Sequence, residues 1–253
     1  MIPALNDLRL VETERLLLHE AHDEDRLSLL RERVETDGEQ RNPVIVAPHQ
    51  SRYLVLDGAH RVRILGELGC RFILVQVVEP PETAESWYHL VGADLLPALS
   101  EAEGVEISER PGGAAVAEVE QAGGRTVRVR ASTPGLEGEV RALWAIGKLY
   151  PAGEIVRRVT PEAGVRPEEG ETLVRYRPYA PAELVEVVER GAVLPAGITR
   201  FRVRERVLGV RFPLEKLRSG DLSRRNAELE EFVRLRWMED RIRYYGEPVI
   251  LFE

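Results

Sequence analysis

One stretch limits the folds open to this chain more than any other: Leu54-Val55-Leu56-Asp57-Gly58-Ala59-His60-Arg61-Val62-Arg63-Ile64-Leu65-Gly66-Glu67-Leu68-Gly69. It begins as an apolar, β-prone run, passes through Asp-Gly, a turn signal, and continues with apolar Val62, Leu65 and Leu68 at helical spacing. Gly69 reads as the helix stop. A buried strand therefore ends in an acid and a glycine, and a helix opens at once with His60 and Arg61 in its first turn. The N–H groups and positive dipole end of such a helix suit an anion. Cations are unfavourable there, so His and Arg ask for an explanation. A phosphate supplies one, and Asp57 beside it could hold a magnesium ion bridging phosphate oxygens. The same residues also read as a solvent-facing arginine and a capping aspartate, and the stretch alone does not decide between these readings.

With 253 residues the chain is long enough for one large domain or two small ones with real cores. No run approaches the roughly 18 apolar residues that span a bilayer. The opening Met1-Ile2-Pro3-Ala4-Leu5-Asn6-Asp7 has neither the basic nor the apolar region of a secretory signal. A single cysteine, Cys70, excludes an internal disulfide framework and a cysteine-based zinc site. The expectation is a cytoplasmic protein with no membrane partner. The net charge of −8 argues against a general nucleic-acid binder. Lys148 and Lys216 are the only lysines, so a lone arginine carries little functional weight.

Taken in order, 8–20 reads as a strand-like lead-in that ends Leu16-Leu17-Leu18-His19-Glu20, and α/β folds place catalytic acids at such strand ends. Asp23 is the expected N-cap of a helix over 25–36. A loop at 37–43, strands at 44–47 and 53–56 joined as a hairpin, the helix after Asp57 and a strand at 71–78 complete a β-α-β-β-α-β unit. Pro80-Pro81-Glu82 marks a boundary. The spacing predicts a helix over 83–91, in which Trp87 is either core or the wall of a ligand pocket. Strands follow at 105–107, 114–120 and 125–130, then a helix at 136–149, a strand at 172–176 and a helix at 182–190 with Pro181 at its start and Gly191 as its stop. In Pro195-Ala196-Gly197-Ile198-Thr199-Arg200-Phe201 a turn leads into a strand. Thr199 and Arg200 would present a hydroxyl, a guanidinium and N–H groups suited to a carboxylate, although without further context an ordinary turn before an amphipathic strand is the commoner meaning of such a stretch. The remainder is expected as a strand at 207–212, a turn, a long charged helix at 223–243 and a terminal strand at 248–252.

The order of elements around Asp57-Gly58-x-His60-Arg61, with Arg41-Asn42-Pro43-Val44-Ile45-Val46 before it, resembles the ParB/sulfiredoxin nucleotide-binding fold. Within that superfamily the β-rich second half is unlike the helix-turn-helix region of DNA-partitioning proteins. Ala59 stands where sulfiredoxins carry their reactive cysteine. The ordered set His19-Glu20, Arg41-x-Pro43, Asp57-Gly58-x-His60-Arg61, Ser86-Trp87-x-His89, Tyr176-x-Pro178 and 195–201 is similar to the free L-serine kinases, above all the branch of the staphyloferrin B siderophore pathway. That resemblance implies an α+β protein with a ParB/sulfiredoxin-like nucleotide-binding domain over 1–80, a mixed substrate-binding domain over 81–253 and an active site in the cleft between them. It implies phosphoryl transfer from ATP or ADP, with Mg2+, to the hydroxyl of L-serine, giving O-phospho-L-serine for 2,3-diaminopropionate and siderophore or for cysteine synthesis.

By the same resemblance and by chemistry, Glu20, Asp57 and His60 are the catalytic residues, Glu20 as acceptor of the serine hydroxyl proton and Asp57 as the magnesium ligand. Arg41, Gly58, Ala59, His60 and Arg61 hold the nucleotide, and Glu20, Trp87, Thr199 and Arg200 the amino acid. The rival expectation is a ParB-like, nucleotide-dependent DNA-binding or regulatory protein, which has no need of Glu20 and the Thr199-Arg200 turn. A kinase of threonine or homoserine is a third. The regulatory DNA and haem binding associated with the siderophore branch finds no supporting pattern here, and the sequence leaves oligomeric state open.

Overall fold

Apolar runs at 8–11, 44–47, 54–56 and 72–75 supply the strands around which the first part of the chain folds in the computed structural model, which describes residues 2–249 apart from Asp23, 81–84, 111–113, 154–155 and Pro248. In order come β1 (Leu8–Glu12), β2 (Leu16–Leu17), α1 (Glu24–Asp37), β3 (Glu39–Gln40), β4 (Val44–His49), β5 (Arg52–Asp57), α2 (Ala59–Glu67) and β6 (Phe72–Val77). The sheet runs β1–β6–β4–β5–β2. β4 and β5 form the expected antiparallel hairpin, and β4 lies parallel to β6. The central strands are covered on both faces, which is why Val44, Val46, Phe72, Ile73, Leu74 and Val75 form continuous apolar runs with essentially no exposure. Buried Gln40 is fully used: its Nε2 donates to the carbonyls of Leu74 (2.7 Å) and Asn42 (3.1 Å), and its Oε1 accepts from the Leu74 N–H (2.9 Å).

The next stretch of chain builds a separate sheet. Its elements are β7 (Glu85–Ser86), β8 (Tyr88–Val91), α3 (Leu96–Glu101), β9 (Val105–Ser108), β10 (Ala117–Gln121), β11 (Thr126–Ala131), α4 (Leu136–Lys148), β12 (Arg157–Val159), β13 (Thr172–Tyr176), α5 (Pro181–Glu189) and β14 (Thr199–Arg200). Six of the strands form an antiparallel sheet in the order β12–β8–β13–β10–β11–β9. α4 lays Val140, Leu143 and Ile146 into the core. The described part of the helix expected at 83–91 is instead β7 and β8. A short aromatic and β-branched run does not separate the two periods, and β8 lies between β12 and β13, where an extended strand buries His89, Leu90 and Val91.

The last part of the chain pairs β15 (Phe212–Pro213) with β3 and continues as α6 (Leu214–Arg218) and α7 (Leu222–Met238). No strand forms over 207–211. Side-chain amides take the place of a ladder there: the Val207 N–H donates to Gln76 Oε1 (3.0 Å), the Gly209 N–H to Asn42 Oδ1 (2.8 Å), and Gln76 Nε2 to the Glu205 carbonyl (3.0 Å). Of the expected turn at 213–217, Pro213 ends β15 and the rest is helical, and α7 stops short of Arg243, with Asp240 at φ 54° just past its end. The expected N-cap Asp23 and, Val249 apart, the expected terminal strand lie outside the described residues.

The mixed α+β class is thus observed. The compact units do not follow the expected division 1–80 and 81–253: one comprises Met1–Leu16, Glu24–Glu79 and Val203–Glu253, the other Leu17–Asp23 and Pro80–Arg202. No helix among the described residues is long and apolar enough to cross a membrane.

Candidate active site

In the first unit, β5 delivers Asp57 to the turn and Gly58 starts α2. Gly58 has φ 105°, in the left-handed region, and its carbonyl accepts the first helical bond from Val62 (3.0 Å). A Cβ on Gly58 would stand 2.7 Å from Arg61 Nη2, so only glycine lets the Arg61 side chain fold back over the turn. Arg61 Nη2 lies 3.6 Å from Asp57 Oδ2, and Arg206 Nη1 donates to the same oxygen at 2.6 Å. Desolvation pushes the Asp57 carboxyl up, but the guanidinium groups of Arg61 and Arg206 outweigh it and hold the carboxyl below its usual range. Ala59 and His60 complete the first turn, which presents backbone N–H groups at the positive end of α2. Arg41 lies between β3 and β4, its carbonyl accepting from the Arg211 N–H (3.1 Å). Two guanidinium groups and a helix start thus surround one carboxylate.

In the second unit, Glu20 forms an isolated parallel bridge with Leu194. The Ala21 N–H donates to the Leu194 carbonyl and the Leu194 N–H to the His19 carbonyl, both at 2.8 Å. This anchors Glu20 beside the turn at 195–199. There its carboxylate takes three hydrogen bonds: from the Gly197 N–H to Oε2 (2.9 Å), and from the Thr199 N–H and Oγ1 to Oε1 (2.6 Å each). His19 Nε2 lies 2.8 Å from Thr199 Oγ1. Because the hydroxyl gives its proton to Glu20, His19 donates to Thr199, and the three side chains form an ordered relay.

β14 pairs with β7, setting Thr199 opposite Ser86 and Arg200 opposite Glu85, and the Trp87 N–H donates to the Ile198 carbonyl (2.9 Å). The Arg200 guanidinium sits 5.2 Å from the Trp87 ring centroid, and its Nη1 donates to Glu85 (2.8 Å) and Glu162 (3.2 Å). Trp87 is half-buried rather than core.

The structure therefore collects Glu20, Trp87, Thr199 and Arg200 in one unit and Arg41, Asp57, Gly58, Ala59, His60 and Arg61 in the other. Two placements add to the sequence reading. The Thr199 donors expected to meet a substrate carboxylate are taken by Glu20, and Asp57 is paired with two arginines. Among the described residues no group of three His, Cys, Asp or Glu side chains is placed to hold a metal ion. Sequence reasoning missed Arg206, although arginines alternate through Arg200, Arg202, Arg204 and Arg206. It also gave no role to His89, and no sequence signal marked Tyr150, which adjoins it.

No family model matches the chain. The chain is 26% identical over 258 residues to the ATP-dependent L-serine kinase SbnI of Staphylococcus aureus, covering 97% of each chain. It is 31% identical over 110 residues to an ATP-dependent L-serine kinase of Staphylothermus marinus, covering 41% of this chain and 44% of that one. Among solved structures, C-terminally truncated SbnI from Staphylococcus aureus superposes with a TM-score of 0.80 at 23% identity, over 94% of this chain and 100% of that one. A free serine kinase in complex with AMP superposes with a TM-score of 0.66 at 20% identity, over 83% and 93%. The resemblance to the free serine kinases read from the motifs is borne out by these relatives, and the solved structures share the fold.

Proposed function

We propose that this chain is a kinase of free L-serine, transferring a phosphoryl group from ATP or ADP to the serine hydroxyl to give O-phospho-L-serine. The observation that carries this reading is the end-to-end likeness to a protein named as an ATP-dependent L-serine kinase. ATP is the donor favoured by the names of both curated relatives. The unit containing Asp57 acts as a ParB/sulfiredoxin-like nucleotide-binding domain, and the unit containing Glu20 and Thr199 holds the amino acid. The product would serve 2,3-diaminopropionate and siderophore or cysteine synthesis.

Phosphoryl transfer asks for a positioned nucleophile, a base or orienting group, and cations on the transferring group. Glu20 accepts the hydroxyl proton as serine Oγ bonds to phosphorus and the bridging P–O bond to the nucleotide breaks. Thr199, His19 and the turn hold Glu20 in place. A guanidinium has five N–H donors, so Arg200, stacked on Trp87, can keep its glutamate partners and still meet the serine carboxylate. Arg41, His60, Arg61 and the Gly58-Ala59 helix start cradle the phosphates. Magnesium is usually held by one or two carboxylates plus substrate phosphates, so the single carboxylate of Asp57 suits an ion arriving with the nucleotide. Bound there, magnesium would neutralise charge on the phosphate oxygens.

The test is incubation with magnesium, ATP or ADP, and a panel of L-serine, L-threonine and homoserine, read by mass spectrometry. Phosphoserine is expected. A phosphorylated product from threonine or homoserine alone would change the substrate. No product with either nucleotide, together with salt-sensitive retention on DNA, would replace the reading with the DNA-binding one.

A further inference from the structure

Behind the turn that holds Glu20 lies a second chain of polar groups that the proposed reaction leaves unused. His89 is buried in β8. Its Nε2 is 2.8 Å from the Gly197 carbonyl oxygen and its Nδ1 3.1 Å from the Tyr150 hydroxyl, which in turn is 2.5 Å from the Tyr176 hydroxyl. Both tyrosine rings pack edge-on against the imidazole, with centroids at 5.7 and 5.0 Å. A carbonyl only accepts, so Nε2 carries a proton and donates to Gly197. In the tautomer with Nδ1 bare, Nδ1 accepts from Tyr150 and the Tyr150 oxygen accepts from Tyr176. Every contact then pairs a donor with an acceptor.

The consequence falls on Gly197, whose φ of 76° suits glycine. Its carbonyl is held by His89 and its N–H by Glu20. Arg158, the register partner of His89 across β8 and β12, closes a third side: a Cβ on Gly197 would stand 2.1 Å from Arg158 Cζ. The N–H groups that grip Glu20 belong to the peptides on either side of the one whose carbonyl His89 holds. Turning that peptide would pull both off the carboxylate.

We infer that His89, backed by Tyr150 and Tyr176, is a positioning residue: it fixes the Gly197 peptide and, through it, the orientation of the Glu20 carboxylate. The inference rests on Glu20 as acceptor of the serine proton. His89→Leu removes the donor, whereas His89→Gln keeps an N–H2 able to reach the same carbonyl.

The experiment compares both variants with the wild-type full chain in three measurements: amide exchange over 194–201, kcat and KM for serine, and nucleotide affinity. His89→Leu should exchange faster over that segment and lose about 10–100-fold in kcat, the scale of a small misplacement of a reacting group, with nucleotide affinity unchanged. His89→Gln should recover most of both losses. Wild-type exchange over 194–201 in a folded His89→Leu protein would overturn the inference. So would equal impairment of the two variants with faster exchange throughout the second unit, which marks a structural role only. Should the wild type make no phosphoserine, the proposed reaction falls, and the exchange comparison alone still decides whether His89 sets the turn.

Discussion

Glu20 is gripped by two backbone N–H groups and a hydroxyl, so its aim is set before any substrate arrives. Glu20→Gln keeps the shape but puts an amide N–H2 against N–H and O–H donors, and it cannot take a proton. Serine phosphorylation should fall by at least about 100-fold, the usual worth of a positioned general base, with nucleotide affinity unchanged by calorimetry. Turnover near wild type would remove Glu20 as the base. Asp57 invites a different test. Arg61 and Arg206 lower its carboxyl despite desolvation, so its contribution to stability is present above the unfolded value of about 3.9 and is lost as pH falls through the folded value. Asp57→Asn should be less stable than wild type at neutral pH, and the gap in thermal midpoint should close in acid. A gap that persists at strongly acidic pH would contradict the ion pairs. The same variant should also shift the magnesium titration of activity.

At the scale of elements, the strand-turn-helix stretch at 54–69 was legible because its hydrophobic period switches at an Asp-Gly, and Glu20 because it follows three leucines. The described segment at 85–91 and the one at 207–211 were not. The first is too short for its period to show, and its state is set by its neighbours β12 and β13. The second follows side-chain amides of Gln76 and Asn42, which no local pattern reveals. Arg206 escaped notice for the same reason, since its partner Asp57 is 149 residues away. α7 shows such a device again. β1 is an edge strand, and Asn226 on α7 mimics a paired strand: its Oδ1 accepts from the Leu10 N–H (2.8 Å) and its Nδ2 donates to the Leu10 carbonyl (3.1 Å). Asn226→Leu leaves both groups unmet and should cost about 1–3 kcal/mol in urea unfolding. An unchanged midpoint would show that water replaces the amide.

At the scale of the whole chain, the α+β class and the serine-kinase resemblance were readable from motifs that keep their order, whereas the grouping of 203–253 with the first unit was not. Nothing in composition marks position 203, and the contacts that recruit this segment are a two-residue strand pairing and single side-chain amides, none of which leaves a local pattern. The acidic balance of −8 fits the account, because the cations proposed to meet the phosphates, Arg41, His60 and Arg61, are few and local. The most direct test of the central claim follows phosphorus NMR of the wild-type protein with ATP, magnesium and L-serine in real time. A phosphomonoester signal of O-phosphoserine growing one for one with ADP is the expected result. ATP left intact, or converted only to ADP and inorganic phosphate regardless of serine, would contradict it.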